Sequence, residues 1–321
     1  MKEGLKIIFM GTPEFARGIL AQILESEHDV LAVVTAPDRP AGRGQKLRQS
    51  AVKIYSESKN IAVLQPEKLR EEAFTEALKQ YNADLFVVVA FRMLPEIVWS
   101  LPSKGTINLH ASLLPNYRGA APINWAIMNG EKSSGVTTFF INEKIDTGDI
   151  IKRRQVNITE NMNAGELHDL LMKDGAELVV ETLHYLKSDD FEKEKQIDIE
   201  IDTLKHAPKI FKPDCKIEWN LQAQSIHNKI RGLSPYPGAW CEIENKSKGS
   251  VVQFKLFSSL LTDIIPASGD SSLRATEYGI LFPCKDLFIS VNELQMEGKR
   301  RMNFKEFLAG NKIEDFVLIQ E

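Results

Sequence analysis

The run "LFVVVAF" at residues 85–91 carries no polar side chain on either face of the strand it would form. A half-exposed strand alternates apolar and polar residues, so a run without alternation has to be covered from both sides. That points to a parallel sheet between two layers of helices. Neighbouring segments fit the same plan. "LKIIFMG" (5–11), "DVLAVVTA" (29–36) and "NIAVLQ" (60–65) read as further strands, and "REEAFTEALKQYN" (70–82) reads as a helix between them. In "TPEFARGILAQIL" (12–24), Phe15, Ile19 and Ile23 recur at helical spacing. Thr12 is placed to cap that helix, Pro13 to occupy its first position, and Glu14 to complement its dipole.

"TINLH" (106–110), "GVTTFFIN" (135–142) and "DIIKRRQVNI" (149–158) continue the series, followed by the amphipathic run from Asn163 to Ser188. Residues 1–188 are therefore expected to form a Rossmann-like domain with a mostly parallel sheet. Only Gly11 stands in the first strand–helix turn, so the dinucleotide fingerprint Gly-x-Gly-x-x-Gly is missing. This argues against NAD or FAD and leaves the fold untouched. The charged stretch "DDFEKEKQIDIEID" opens a linker over 189–207. Beyond residue 208 the style changes to short strands, "GAWCEIE", "SVVQFKLFSSLL", "GILFPCK" and "DLFISVNELQ", with one helical run before them. A small OB-like β-barrel over 208–321 is the expectation.

The chain has 321 residues, enough for two cores. Its longest apolar runs are too short to cross a bilayer, and residues 1–10 lack the layout of a signal peptide. Three widely spaced cysteines, Cys215, Cys241 and Cys284, suggest neither a disulfide framework nor a zinc motif. A cytoplasmic setting is expected. The net charge of −4 is unevenly spread, with 24 basic against 30 acidic residues up to position 204 and 16 against 14 beyond it. Within the acidic part, "PDRPAGRGQKLRQSAVK" (37–53) holds five basic residues and one acid, either a solvated loop or a local site for phosphates.

Side chains alternate along a strand, so Asn108 and His110 of "TINLH" share a face and adjoin the loop "ASLLPNYRGAAP". In open α/β sheets, ligands bind beyond the carboxyl ends of strands, which is where this pair stands. The six histidines show no zinc-like spacing, and Ser112 lacks a Gly-x-Ser-x-Gly surround. A hydrogen-bond donor beside a proton carrier is one reading; strand decoration is the other. Asp146, in "DTGDI", either sits in a self-stabilised turn or meets His110 as a carboxylate partner. A single Asp-Thr-Gly does not supply the paired carboxylates of an aspartic protease.

The order "GTPEFA", "PDRPAGRGQKL", "INLHASLLPNYRGAAPINWAI", "DTGDI", "HAPKIFKPDCKIEWN" and "IRGLSPYPGAW" resembles the methionyl-tRNA formyltransferase family, within the 10-formyltetrahydrofolate-dependent formyltransferases. The likeness implies a catalytic trio at Asn108, His110 and Asp146. It further implies formyl transfer from 10-formyltetrahydrofolate, a co-substrate, to methionyl-initiator tRNA, with no metal. Folate contacts would fall on Ser112, Leu113, Leu114 and Pro115. The opposite wall, "VVVAFRML" (87–94), departs from the family's Ala-Tyr-Gly. The 37–46 loop, expected to be mobile until tRNA orders it, would touch tRNA through Arg43 and Lys46, and the linker through Lys209 and Lys212. A monomer acting away from membranes is expected. Three rivals stay open: a formyltransferase acting on a nucleotide-linked amino sugar, a folate hydrolase, and a non-catalytic RNA-binding protein. None of the three accounts for both the basic loop and the trio.

Overall fold

The computed structural model describes residues 4–41, 46–188, 190–196 and 204–319. The chain divides into two compact units, the first from residues 1–119, 134–156 and 168–206, the second from 120–133, 157–167 and 207–321.

The first unit is built on a seven-stranded sheet. Its spatial order is Ile150–Asn157, Ser133–Phe140, Thr106–His110, Leu85–Val89, Lys6–Gly11, Asp29–Val34 and Ala62–Leu64. The five strands from Thr106–His110 to Ala62–Leu64 run parallel, while Ser133–Phe140 runs antiparallel to Thr106–His110. Every residue of Leu85–Val89 is buried, as its unbroken apolar run requires. The sheet separates two apolar layers. Ile8, Met10, Phe86 and Val88 pack with Phe74 and Leu78 of helix Glu72–Gln80 on one side. On the other side lies helix Ala164–Leu186, where a Cβ on Gly175 would stand 2.8 Å from Leu109 and 3.5 Å from Val136. A larger residue there would have to push the Leu109 side chain aside. With Leu109 committed to that layer, Asn108 and His110 are turned to the opposite one.

Two local expectations are corrected. Thr12 caps nothing: helix Glu14–Leu24 begins one residue later, with Pro13 as N-cap and no side-chain cap, and the Pro13 carbonyl accepts from Arg17 N at 3.1 Å. Nor is the basic stretch an unstructured loop at its ends. Arg39–Ala41 and Lys46–Arg48 pair as an antiparallel ribbon, with Arg39 opposite Arg48. Its base is fastened by Asp38, which accepts from Lys53 Nζ at 2.6 Å and Gln65 Nε2 at 2.8 Å. These two donors hold the Asp38 carboxyl below its ordinary range.

The second unit is a curled antiparallel sheet in the order Arg274–Ala275, Ile280–Pro283, Phe288–Met296, Ser250–Leu261, Ala239–Asn245 and Phe316–Leu318. A single bridge between Ser272 and Val317 joins its two edges, which shields strand borders that would otherwise be open to pairing. Helix Ala223–Gly232 supplies Ile226 and Ile230 to the core, where Trp219 stacks on Phe282 at 5.2 Å. The three cysteines are free and buried, and burial pushes the Cys284 thiol up to about 12.

In the first unit, His28 is buried with its Nδ1 accepting from Leu5 N at 3.1 Å and its Nε2 without a partner. Burial first, then the neighbouring His184, pushes its pKa down from 6.5 to about 4. The unfolded chain therefore takes up the proton before the folded one does. His28 imposes no cost above about pH 6.5; stability falls as pH drops through 6.5 and levels off below about 4, a loss on the order of 3 kcal/mol. In urea denaturation across this range, His28→Gln is expected to lose measurably less stability than the native chain. Parallel curves for the two proteins would contradict the assignment.

Candidate active site

Four residues after the buried run Leu85–Val89 are already exposed or half-buried, and the next strand over ends at His110. Asn108 is half-buried there, and among the described residues its side-chain amide has no hydrogen-bond partner. A half-sheltered amide without a partner is a donor left for something else to use.

His110 is buried, with one ring nitrogen hydrogen-bonded and the other facing a carboxylate. Nε2 lies 2.8 Å from the Tyr117 carbonyl oxygen, and Nδ1 lies 3.7 Å from Asp146 Oδ2. A carbonyl only accepts, so the neutral ring carries its proton on Nε2, leaving the Nδ1 lone pair facing the carboxylate. Asp146 Oδ2 also accepts from Gly119 N at 2.9 Å.

Asp146 does not come from a strand end. Phe140 pairs opposite Ile107, at the start of the Thr106–His110 strand, and Phe140 N returns to Asp149 O at 2.9 Å. The intervening loop leaves and re-enters the sheet at one place, and it has to run back alongside the strand to deliver Asp146 to His110. Two features hold it there. A Cβ on Gly148 would sit 1.6 Å from the Phe140 carbonyl oxygen, so this backbone approach excludes any other residue. Gln196 Nε2 donates to Asp146 O at 3.1 Å and Gly148 O at 2.8 Å, while its Oε1 accepts from Arg118 Nη2 at 2.7 Å. Gln196 was invisible to motif reading, because it lies in the charged stretch that suggested a mere connector. That stretch also pairs Glu194 with Ile150 and stacks Phe191 on Phe140 at 5.8 Å.

Strain collects in the same neighbourhood. Of the non-glycine residues with positive φ, Asn60 and Asn82 follow helices, whereas Ala90 (46°), Tyr117 (60°) and Asp146 (55°) belong to the segments around His110. Such conformations cost about 1–3 kcal/mol each and persist where surrounding bonds hold them.

The Ser112–Pro115 loop is split in its roles. Ser112 and Leu114 are buried. Ser112 Oγ donates to Asn116 O at 2.7 Å, its carbonyl accepts from Thr137 Oγ1 at 2.7 Å, and Leu114 packs with Phe139 and Ile150. Both side chains serve the scaffold; Leu113 and Pro115 are half-buried, and Leu113 packs over Gly135, where an added Cβ would come 2.4 Å from its Cδ2. On the opposite wall Phe91 is half-buried beneath Arg92, whose guanidinium carbon is 5.6 Å from the ring centre. Arg43 lies outside the described residues, and Lys46 is described in its backbone only, within the ribbon. Lys209 and Lys212, in the second unit, are exposed.

Among the described residues one group has ligand atoms close enough to share a metal ion: Glu27, His28 and His184. The hydrogen bonding there does not suit a metal. Leu5 N–H occupies the lone pair of His28 Nδ1, so Nε2 carries the proton, and Lys187 Nζ already sits 2.6 Å from Glu27 Oε1.

Comparison with known proteins matches residues 5–183 to the family model "Formyl transferase" and residues 209–312 to "Formyl transferase, C-terminal domain". The chain is 48% identical over 313 residues to the methionyl-tRNA formyltransferase of Flavobacterium johnsoniae, covering 98% of each chain. The chain belongs to the methionyl-tRNA formyltransferase family. The enzyme of that name from Bacteroides thetaiotaomicron is 45% identical over 323 residues, again covering 98% of each. Two solved structures share the formyltransferase fold. HypX from Aquifex aeolicus in complex with tetrahydrofolic acid superposes with a TM-score of 0.64 at 19% identity, covering 99% of this chain and 51% of that one. An N-formyltransferase from Helicobacter canadensis in complex with folinic acid and dTDP-3-aminofucose gives 0.63 at 21%, covering 93% and 100%.

Replacing Gly148 by alanine is expected to displace the Asp146 loop, because the obstruction is backbone and cannot swing aside. Gln196→Ala is expected to lower turnover about tenfold at a modest cost in stability, since it removes two neutral hydrogen bonds and one from the charged Arg118 at a partly exposed surface. Thermal melts and steady-state rates on the two variants check both; unchanged turnover in each would separate the loop from the chemistry.

Proposed function

We propose that this chain transfers the formyl group of 10-formyltetrahydrofolate to the amino group of methionyl-initiator tRNA, as a cytoplasmic monomer. The carrying observation is the unpartnered Asn108 amide on the same strand face as the His110–Asp146 pair, in a chain of this family. No helix among the described residues is long and apolar enough to cross a membrane.

Asn108 supplies the donor for the formyl oxygen as the incoming amine adds and that oxygen gains negative charge. Losing one such donor typically raises the barrier by about 2.7–4 kcal/mol. His110 Nδ1 takes the proton that the amine loses. The imidazolium so formed keeps its Nε2–H on Tyr117 and faces Asp146, whose charge stabilises it. When the carbonyl re-forms and the bond to N10 breaks, His110 returns the proton to N10, so the ring ends neutral. Proton transfer of this kind contributes about 10²–10⁴-fold. Leu113, Pro115 and the backbone of Ser112 and Leu114 flank the folate.

The acceptor is assigned by the rest of the chain. The sugar formyltransferase relative shares the fold at 21% identity over 93% of this chain, against 48% identity over 98% of it for a methionyl-tRNA formyltransferase. Arg43 and Lys46, together with the exposed Lys209 and Lys212, form the tRNA contacts in this reading.

Purified protein given 10-formyltetrahydrofolate is expected to formylate methionyl-initiator tRNA far faster than methionyl-elongator tRNA or a nucleotide-linked amino sugar. Comparable rates on the sugar would overturn the acceptor assignment. Asn108→Ala should lower kcat about 10²–10³-fold and Asp146→Asn about 10²-fold or more, while folate still binds. Asparagine is chosen at 146 because it tolerates the positive φ there. Arg43→Ala should raise KM for tRNA about tenfold and leave that for folate unchanged.

A further inference from the structure

The peptide unit joining Leu114 to Pro115 has no N–H, because proline lacks one, so its carbonyl oxygen is its sole hydrogen-bonding group. Arg153 Nε donates to that oxygen at 3.1 Å. The peptide is planar, so a fixed carbonyl direction constrains the Pro115 ring on its other side. Other anchors hold the first half of the loop. Thr137 Oγ1 lies 2.7 Å from Ser112 O and 3.2 Å from Leu114 N, and the Leu114 side chain packs with Phe139 and Ile150.

Arg153 is itself oriented from outside the sheet. It stands on the edge strand Ile150–Asn157, and the segment 190–196 pairs with that strand at one point. There Ile150 N donates to Glu194 O at 2.7 Å and Glu194 N to Ile150 O at 2.8 Å. The Glu194 carboxylate takes Arg153 by both ends, with Nη1 donating to Oε2 at 2.7 Å and Nη2 to Oε1 at 3.1 Å. These bonds hold the Glu194 carboxyl below its ordinary range. A guanidinium is a rigid plane, so fixing two of its nitrogens directs the third. The side chains are 30% and 61% exposed, and an ion pair so open to solvent contributes little to folding. What the fork supplies is aim.

We propose that Arg153 is a positioning residue for the folate, aiming the Leu114 carbonyl so that Pro115 is set against the ligand, and that Glu194 acts on the folate only through Arg153. The assignment rests on the folate reading of the Ser112–Pro115 loop and extends it to a pair outside the catalytic trio. It gives the segment 190–196 two separate tasks. Gln196 steadies the Asp146 loop and bears on turnover, whereas Glu194, two residues earlier, bears on folate binding. A segment that merely braced the fold would not divide the two effects.

The probe is folinic acid, the stable 5-formyl isomer of the co-substrate, titrated calorimetrically into the full chain. Arg153→Ala is expected to raise its Kd about tenfold and Glu194→Ala about threefold, with the melting temperature of Glu194→Ala unchanged. In the double variant the Kd should equal that of Arg153→Ala, because Glu194 has nothing left to act on. Arg153→Lys should bind no better than Arg153→Ala, since one ammonium cannot serve the carbonyl and both carboxylate oxygens. In steady-state rates, Glu194→Ala should raise the KM for 10-formyltetrahydrofolate and leave that for methionyl-initiator tRNA as it is. Native affinity in Arg153→Ala or Arg153→Lys would overturn the proposal, as would effects that multiply in the double variant. A native chain that bound no folinic acid would instead remove the proposed function, and this assignment with it.

Discussion

A backbone carbonyl that can only accept decides which nitrogen of His110 is available. Because Tyr117 O takes the Nε2–H at 2.8 Å, Nδ1 is left as the basic atom and looks toward Asp146. The surrounding irregularities all serve that arrangement. Tyr117 is left-handed so that its carbonyl meets the ring, and its N–H is engaged by Lys205 O at 2.5 Å. Gly119 N and Gln196 pin Asp146 from two directions. An imidazole with one nitrogen committed is a better proton carrier than a free one, because its tautomer is settled before substrate arrives.

Much of this could be read from residues alone. Apolar runs without alternation announced the covered sheet, and two-residue alternation in "TINLH" placed Asn108 and His110 on one face. Those signals are local, and the strand geometry carries them over unchanged. The role of Asp146 could not be read that way, since it depends on a loop that doubles back along a neighbouring strand. Gln196 is further off still: its amide acts through main-chain oxygens 48 and 50 residues away, and no spacing rule registers such a contact.

The misreadings also have physical reasons. Thr12 has the right chemistry for a cap, but the helix starts one residue later and Pro13, with no hydroxyl, takes the position. The proline and glycine content of residues 37–46 resembles a loop, yet the Asp38–Lys53–Gln65 cluster brings the two arms into register. Within Ser112–Pro115 the backbone is bound to Thr137, and burial alternates between buried Ser112 and Leu114 and half-buried Leu113 and Pro115.

The ribbon's register has a consequence of its own. It sets Arg39 squarely across from Arg48, and like charges in directly opposed positions disfavour the pairing they belong to. Arg39 also counts against the charge of Arg92 nearby. The arms are thus closed by their base against an internal electrostatic frustration. A negatively charged strand laid over the two guanidinium groups would offset that repulsion.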